Sequence, residues 1–268
     1  MLPNAVSERG LLLLGCGKMG SALLQGWLSD GLSPDNVWVI DPRPSDWVKA
    51  QGLHLNELMP DNPAVVLIAV KPQVMGEALP RLQTMAGKTT LFLTVAAGTS
   101  IKTYEEVLGS STPIVRAMPN TPAAVGKGIT ALIGNGRITD RDMDTAEQLM
   151  STVGEVVRLD NEGQMDAVTG VSGSGPAYVF HLIETLAAAG QAQGLPDDMA
   201  MKLAKATVLG AGELAVQAEE DPSQLRVNVT SPNGTTQAGL DVLMPDLPDL
   251  INRTVAAAAG RSKELSGG

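Results

Sequence analysis

The chain has 268 residues, 44% hydrophobic and 18% charged, with a formal net charge of −10 from 29 acidic and 19 basic side chains. That is the composition of a soluble globular protein, long enough for one large domain or two modest ones. One Cys and two His (His54 and His181) allow no internal disulfide and no usual Cys/His zinc site, so no metal is expected; the acidity and the few rings (three Trp, two Tyr, two Phe) argue against nucleic acid as a partner.

Met1 to Gly10 is polar, carries Glu8 and does not read as a signal peptide. No apolar run approaches the roughly 20 residues of a membrane helix, so the expectation is a cytoplasmic protein with no membrane partner. Leu11 to Leu14, Val37 to Ile40, Ala64 to Val70, Thr90 to Val95 and Ile114 to Ala117 read as strands, and the third is apolar throughout, as in a parallel sheet covered on both faces. Ser21 to Leu28, Met75 to Met85 and Ile101 to Leu108 have helical spacing between them. This alternation predicts βαβ units and a parallel sheet. Ile129 to Ile133, a helix over Asp140 to Thr152 and a strand over Glu155 to Leu159 complete this part, residues 1–162.

From residue 163 to 268 the pattern is helical: Tyr178 to Ala192, Asp197 to Ala218, Thr236 to Met244 and Leu247 to Leu265. These segments are rich in Ala and Gly and offer thin apolar faces. An all-α part of this size is expected to complete its core against a second copy of the chain. The fold class is therefore α/β, an N-terminal dinucleotide-binding domain followed by an all-α dimerisation domain.

Gly15-Cys16-Gly17-Lys18-Met19-Gly20 follows the first strand and opens the first helix, the setting in which G-x-G-x-x-G binds a dinucleotide. Gly15 permits the tight turn, Gly17 lets a pyrophosphate approach the backbone, and Gly20 allows close packing of helix on strand. The competing reading is a ligand-free βα turn with Cys16 as a small filler. At the end of the second strand, Asp41 stands 21 positions after Gly20, where an acid binds the 2′-hydroxyl of NAD, while Arg43 is suited to the 2′-phosphate of NADP. The residues leave that choice open. Ala69-Val70-Lys71-Pro72 closes the third strand at the edge where ligands bind in open α/β sheets, and a solvated loop lysine is the plainer reading of Lys71. Ala96-Ala97 ends the fourth strand with small residues that leave room for a ring. Met118-Pro119-Asn120-Thr121-Pro122 is a rigid loop at the fifth. Ser172 to Tyr178 and Thr230 to Thr236 are polar breaks ahead of helices; their N–H groups and hydroxyls suit a carboxylate, although most such runs are only capped turns.

Together, Gly15-x-Gly17-x-x-Gly20-x-Ala22, Ala69-Val70-Lys71-Pro72, Met118 to Pro122, Ser172 to Tyr178 and Ser231-Pro232-x-Gly234-x-Thr236 resemble the pyrroline-5-carboxylate reductases over nearly the whole chain. The resemblance implies reduction of 1-pyrroline-5-carboxylate to L-proline with NADPH or NADH, and a Rossmann domain whose helical partner interlocks with that of a second subunit. It implies that the substrate carboxylate lies on Ser231, Asn233, Gly234 and Thr235, that the Thr236 hydroxyl meets the ring nitrogen, and that Glu219 is nearby. It places Asn56, Ala69, Val70, Lys71, Pro72, Ala96, Ala97 and Asn120 at the cofactor. The sequence departs from the common Ser-Pro-Gly-Gly at Asn233, a residue that tolerates φ > 0, and at Asp41, where NADPH-preferring members usually lack an acid. Two other readings compete. One is a β-hydroxyacid or prephenate dehydrogenase, whose acid/base would have to be His181, Lys202 or Lys205; the other is a non-catalytic NADP(H)-binding regulator.

Overall fold

The computed structural model describes residues 2–266. Its eight strands are β1 (Leu11–Leu14), β2 (Val37–Ile40), β3 (His54–Leu55), β4 (Val65–Ile68), β5 (Leu91–Thr94), β6 (Ile114–Met118), β7 (Gly128–Gly134) and β8 (Gly154–Arg158). They form one sheet in the order β3-β2-β1-β4-β5-β6-β7-β8. The first six strands have the 3-2-1-4-5-6 order of a dinucleotide-binding sheet. Strand residues of alternate parity face opposite layers. Leu11, Leu13, Val65, Leu67 and Leu93 pack into one buried cluster, and Leu12, Leu14, Val66, Ile68 and Phe92 into the other. The apolar runs are thus continuous because both faces are covered.

The α-helices are α1 (Asn4–Arg9), α2 (Lys18–Ser29), α3 (Asp46–Lys49), α4 (Met75–Ala78), α5 (Ile101–Leu108), α6 (Asp140–Ser151), α7 (Met165–Val168), α8 (Gly175–Ala192), α9 (Asp197–Gln217), α10 (Pro222–Asn228) and α11 (Thr235–Ser266). Their starts are chemically marked. Ser100 accepts from the Thr103 N–H at the head of α5, and Thr139 and Asp142 form a reciprocal capping box at the head of α6. The fully buried Trp27 of α2 donates from Nε1 to the Leu149 carbonyl of α6 at 2.8 Å, tying two helices on the same face of the sheet.

The sequence expectations need four amendments. β7 runs antiparallel to β6, because only the short 3₁₀ turn Thr121–Val125 and its flanks connect them, too little chain for a parallel crossover. The segment expected as one helix over Met75 to Met85 is α-helical only to Ala78 and 3₁₀ from Leu79 to Met85; Pro80 has no N–H to continue the α ladder. Conversely, the helices expected over Thr236 to Met244 and Leu247 to Leu265 are one element, α11, with Pro245 and Pro248 inside it. A proline φ is compatible with helix, so each removes a hydrogen bond without ending so long an element. β3, α1, α3, α7 and α10 had no sequence counterpart.

The chain divides into two compact units. One runs to Ser174 and takes up the chain again from Ala257; the other is Gly175–Ala256. In the first unit, the buried Ser262 near the end of α11 donates to Asp166 Oδ1 at 2.7 Å. A five-residue π-helical turn, Thr169–Gly173, lies at the end of that unit's longer segment. In the second unit the apolar cluster consists of Ala187, Ala200 and Ala204, flanked by Ile183 and Met201. Leu182, Leu203, Leu209, Leu214 and Val242 face outward.

Candidate functional site

The glycine-rich turn is built by three distinct constraints. Gly15 has φ +87°, and a Cβ there would lie 2.8 Å from Val70 Cγ1 and 3.0 Å from the Ala69 carbonyl. A Cβ at Gly20 would lie 2.9 Å from the Gly15 carbonyl, so only glycine lets α2 start this close to β1. At Gly17 a Cβ would meet nothing within 4 Å: this glycine faces open space. By helix geometry the N–H groups of Lys18, Met19 and Gly20, in the first turn of α2, lack intrahelical acceptors and carry the positive end of the helix dipole. Open space over such donors fits a dinucleotide pyrophosphate. Cys16 is buried and hydrogen-bonded near Ser21; burial pushes its thiol pKa up, which keeps it protonated and unreactive.

β1 and β4 are the neighbours at which the sheet order reverses, and ligands bind at such switch points. The turn after β1 and the Ala69–Pro72 segment after β4 meet there, with Ala69 N–H donating to Leu14 O. Lys71 is exposed and precedes the 3₁₀ turn Pro72–Val74. Ala96 is buried, while Ala97 is exposed just beyond β5.

At the end of β2, Asp41 accepts from the Cys16 N–H (2.7 Å) and from the Arg43 N–H (2.7 Å). Asn56, beyond β3, pairs with both backbone groups of Asp41 at 2.9 Å. The neighbouring His54 stacks on Trp38 at 4.6 Å, and its two ring nitrogens lie near Glu57 Oε2 (3.0 Å) and the Asp35 carbonyl (3.1 Å). Asn120 is buried and braces the π-helical turn: its Nδ2 donates to Ser172 O, and its Oδ1 accepts from the Ile129 N–H.

One ion pair here has no sequence signature. The buried Arg116 of β6 donates from Nη1 to Glu162 Oε1 at 2.7 Å, and the same oxygen accepts from the Ile101 N–H at the head of α5. Forty-six positions separate Arg116 from Glu162, and no local motif announces such a pair. Next to it, Tyr104 OH and Thr94 Oγ1 share a buried hydrogen bond of 2.5 Å, and burial raises the tyrosine pKa.

In the second unit, Ser231, Asn233, Gly234, Thr235 and Thr236 form the turn that opens α11. Asn233 has φ +54° and the Gly234 N–H closes the turn on Ser231 O at 3.0 Å, so the departure from glycine at 233 keeps a left-handed turn. Thr235 and Thr236 occupy the first turn of a 32-residue helix, where N–H groups point outward. Glu219 lies in the exposed bend after α9. His181 pairs with Glu184 on an exposed face of α8, and Lys202 and Lys205 are exposed on α9. A cleft of about 550 Å³ lined by Arg9, Lys88, Arg137 and Arg141 among others holds none of the residues singled out from the sequence. Among the described residues, no helix is long and apolar enough to cross a membrane and no group of His, Cys, Asp or Glu is placed to hold a metal.

The strand order, the glycine turn at the switch point and the helical second unit define a Rossmann-type nicotinamide-dinucleotide oxidoreductase. Residues 11–98 match the family described as NADP oxidoreductase, coenzyme F420-dependent, and residues 162–265 match pyrroline-5-carboxylate reductase dimerisation. The pyrroline-5-carboxylate reductase of Pseudomonas aeruginosa is 35% identical over 268 residues, covering 97% of this chain and 98% of that protein. The reductase structure from Coxiella burnetii has a TM-score of 0.89 at 34% identity, over 96% of this chain and 98% of that one. The Plasmodium falciparum pyrroline carboxylate reductase structure, with NADP bound, has a TM-score of 0.85 at 29% identity, over 97% and 99%. The chain belongs to the pyrroline-5-carboxylate reductase family.

Proposed function

We propose that the chain reduces 1-pyrroline-5-carboxylate to L-proline with NADPH or NADH, the last step of proline synthesis. The observation that carries this reading is the likeness to reductases of this substrate along almost the entire chain, through both the dinucleotide half and the dimerisation half. A likeness confined to the first half would fit many dehydrogenases.

When bound, the reduced nicotinamide supplies the hydride. The chain's own part is placement. Gly15, Gly17, Lys18, Met19 and Gly20 hold the pyrophosphate on the head of α2, and Asp41, Arg43 and Asn56 border the adenosine ribose. Ala69, Val70, Lys71, Pro72, Ala96, Ala97 and Asn120 line the nicotinamide end. The N–H groups and hydroxyls of Ser231, Asn233, Gly234 and Thr235 receive the substrate carboxylate, with Glu219 as a polar neighbour. Thr236 Oγ1 accepts from the N–H of the protonated imine. As the new C–H bond forms, the C=N π pair passes to nitrogen, which keeps its proton and becomes the amine of proline. No side chain has to change protonation state in that step, so the scarcity of His and Cys is no obstacle.

The helical part, residues 163–268, is read as the element of self-association, and an interlocked dimer is the arrangement proposed; the family match beginning at residue 162 supports this division of the chain. The assay is the fall in reduced-coenzyme absorbance with 1-pyrroline-5-carboxylate, run with NADPH and NADH side by side. No turnover with either would sink the reading. Thr236→Ala is expected to lower kcat/KM by about 10²-fold, the scale of one lost hydrogen bond to a reacting group, with coenzyme affinity unchanged. Equal losses in both would remove Thr236 from the chemistry.

A further inference from the structure

The two charged side chains at the end of β2 are held in opposite ways. The Asp41 carboxylate is anchored at both oxygens, Oδ2 by the Cys16 N–H of the glycine turn and Oδ1 by the Arg43 N–H, each at 2.7 Å. Its main chain is clamped as well, because Asn56 Oδ1 accepts from its N–H and Asn56 Nδ2 donates to its carbonyl, each at 2.9 Å. Asn56 does this from a left-handed backbone at φ +54°, a conformation asparagine adopts more readily than most side chains. The Arg43 side chain is exposed and makes no hydrogen bond or ion pair among the described residues.

We propose that Asp41, set in place by Cys16 and Asn56, makes this protein select NADH over NADPH. The inference rests on the oxidoreductase reading above and concerns the adenosine ribose alone. Each Asp41 oxygen accepts one N–H and keeps a second lone pair, which can receive a ribose hydroxyl proton. A 2′-phosphate has acceptors at that position and close to two negative charges. It would face a carboxylate that cannot turn aside without giving up the Cys16 and Arg43 N–H bonds, the first of which ties it to the glycine turn. Arg43 offers the opposing charge from a solvated side chain, where screening and the ordering of a long chain weaken the attraction. The fixed anion therefore outweighs the loose cation.

The test is direct binding, independent of turnover: calorimetric titration of the full-length protein with NADH and with NADPH at one ionic strength. NADH is expected to bind about tenfold tighter or better. Asp41→Ser should shift the ratio of the two dissociation constants about 10²-fold toward NADPH, and Asp41→Asn, which preserves shape while removing the charge, should shift it in the same direction. Arg43→Ala should leave the order of preference as it is. A wild type that prefers NADPH, or a ratio unmoved in both Asp41 variants with melting temperatures intact, overturns the assignment. Binding of neither coenzyme to the wild type would overturn the oxidoreductase reading itself and this inference with it.

Discussion

A methyl group at Gly15 would collide with Val70 and the Ala69 backbone from a left-handed φ, whereas one at Gly17 would enter empty space. The two glycines should therefore fail differently when replaced. Gly15→Ala is expected to destabilise the fold by about 2 kcal/mol or more, through strain and overpacking, and to lower the melting temperature along with coenzyme affinity. Gly17→Val should melt close to the wild type yet bind neither coenzyme, because its side chain fills the opening over the α2 N-terminus. Calorimetric melting and coenzyme titration on the same samples separate the two, and intact binding by Gly17→Val would remove the turn from the cofactor site. His54 gives a pH prediction of the same local kind. Its hydrogen bond to Glu57 is the main cause that raises the imidazole pKa above the ordinary value of about 6.5. A group whose folded pKa is raised contributes stability fully present below that ordinary value and lost as pH rises through the folded one. Melting temperature should thus fall slightly from pH 6 to pH 8 in the wild type, by less in His54→Phe, which keeps the stack on Trp38 but cannot titrate. Both partners of the pair are exposed, so the difference should be small.

At the scale of elements, the Arg116–Glu162 pair joins β6, the head of α5 and the 3₁₀ turn Glu162–Gln164 that precedes α7. Arg116 is buried, and its Nη2 has no partner, so Glu162 carries most of the compensation for the guanidinium charge. Glu162→Ala should cost about 3 kcal/mol in denaturant unfolding, the scale of an uncompensated buried charge, and the double variant Glu162→Leu with Arg116→Met should recover much of it. A loss below about 0.5 kcal/mol, typical of surface positions, would show that water or another group serves Arg116 equally well. This pair also marks the boundary of what a linear reading reaches. The glycine turn, the apolar strands and the helical spacing of α5 and α6 depend on neighbours a few positions apart, and they were legible. The two residues of β3 are too few to show any alternation, and β7 reverses direction because of the length of its connection rather than its composition. Pro245 and Pro248 suggest a break by local rule, and only the continuity of α11 as a whole overrides them. The site divides along the same line: its backbone turns were visible as motifs, whereas the Asn56 clamp on Asp41 and the Glu162 bridge join residues 15 and 46 positions apart.

For the molecule as a whole, the decisive quantity is the uncovered apolar surface of Gly175–Ala256: Leu209 and Val242 are 72% and 75% exposed, and the apolar cluster of this unit amounts to three alanines with two flanking side chains. Helices with so little internal burial need a covering surface, and the match of residues 162–265 to a dimerisation family supports the proposal that another copy of the chain supplies it. The melting temperature should therefore rise with protein concentration, as it does when association and folding are coupled. Light scattering behind size exclusion should find no monomer at micromolar concentrations. Leu209→Asp or Val242→Asp should weaken association by about 10²-fold or more, since each forfeits the burial of a large apolar side chain and forces a carboxylate under the interface. In these variants the Rossmann unit, whose two clusters lie within its own sheet layers, should still bind coenzyme. A wild-type monomer that melts at one temperature at every concentration would contradict the self-association reading.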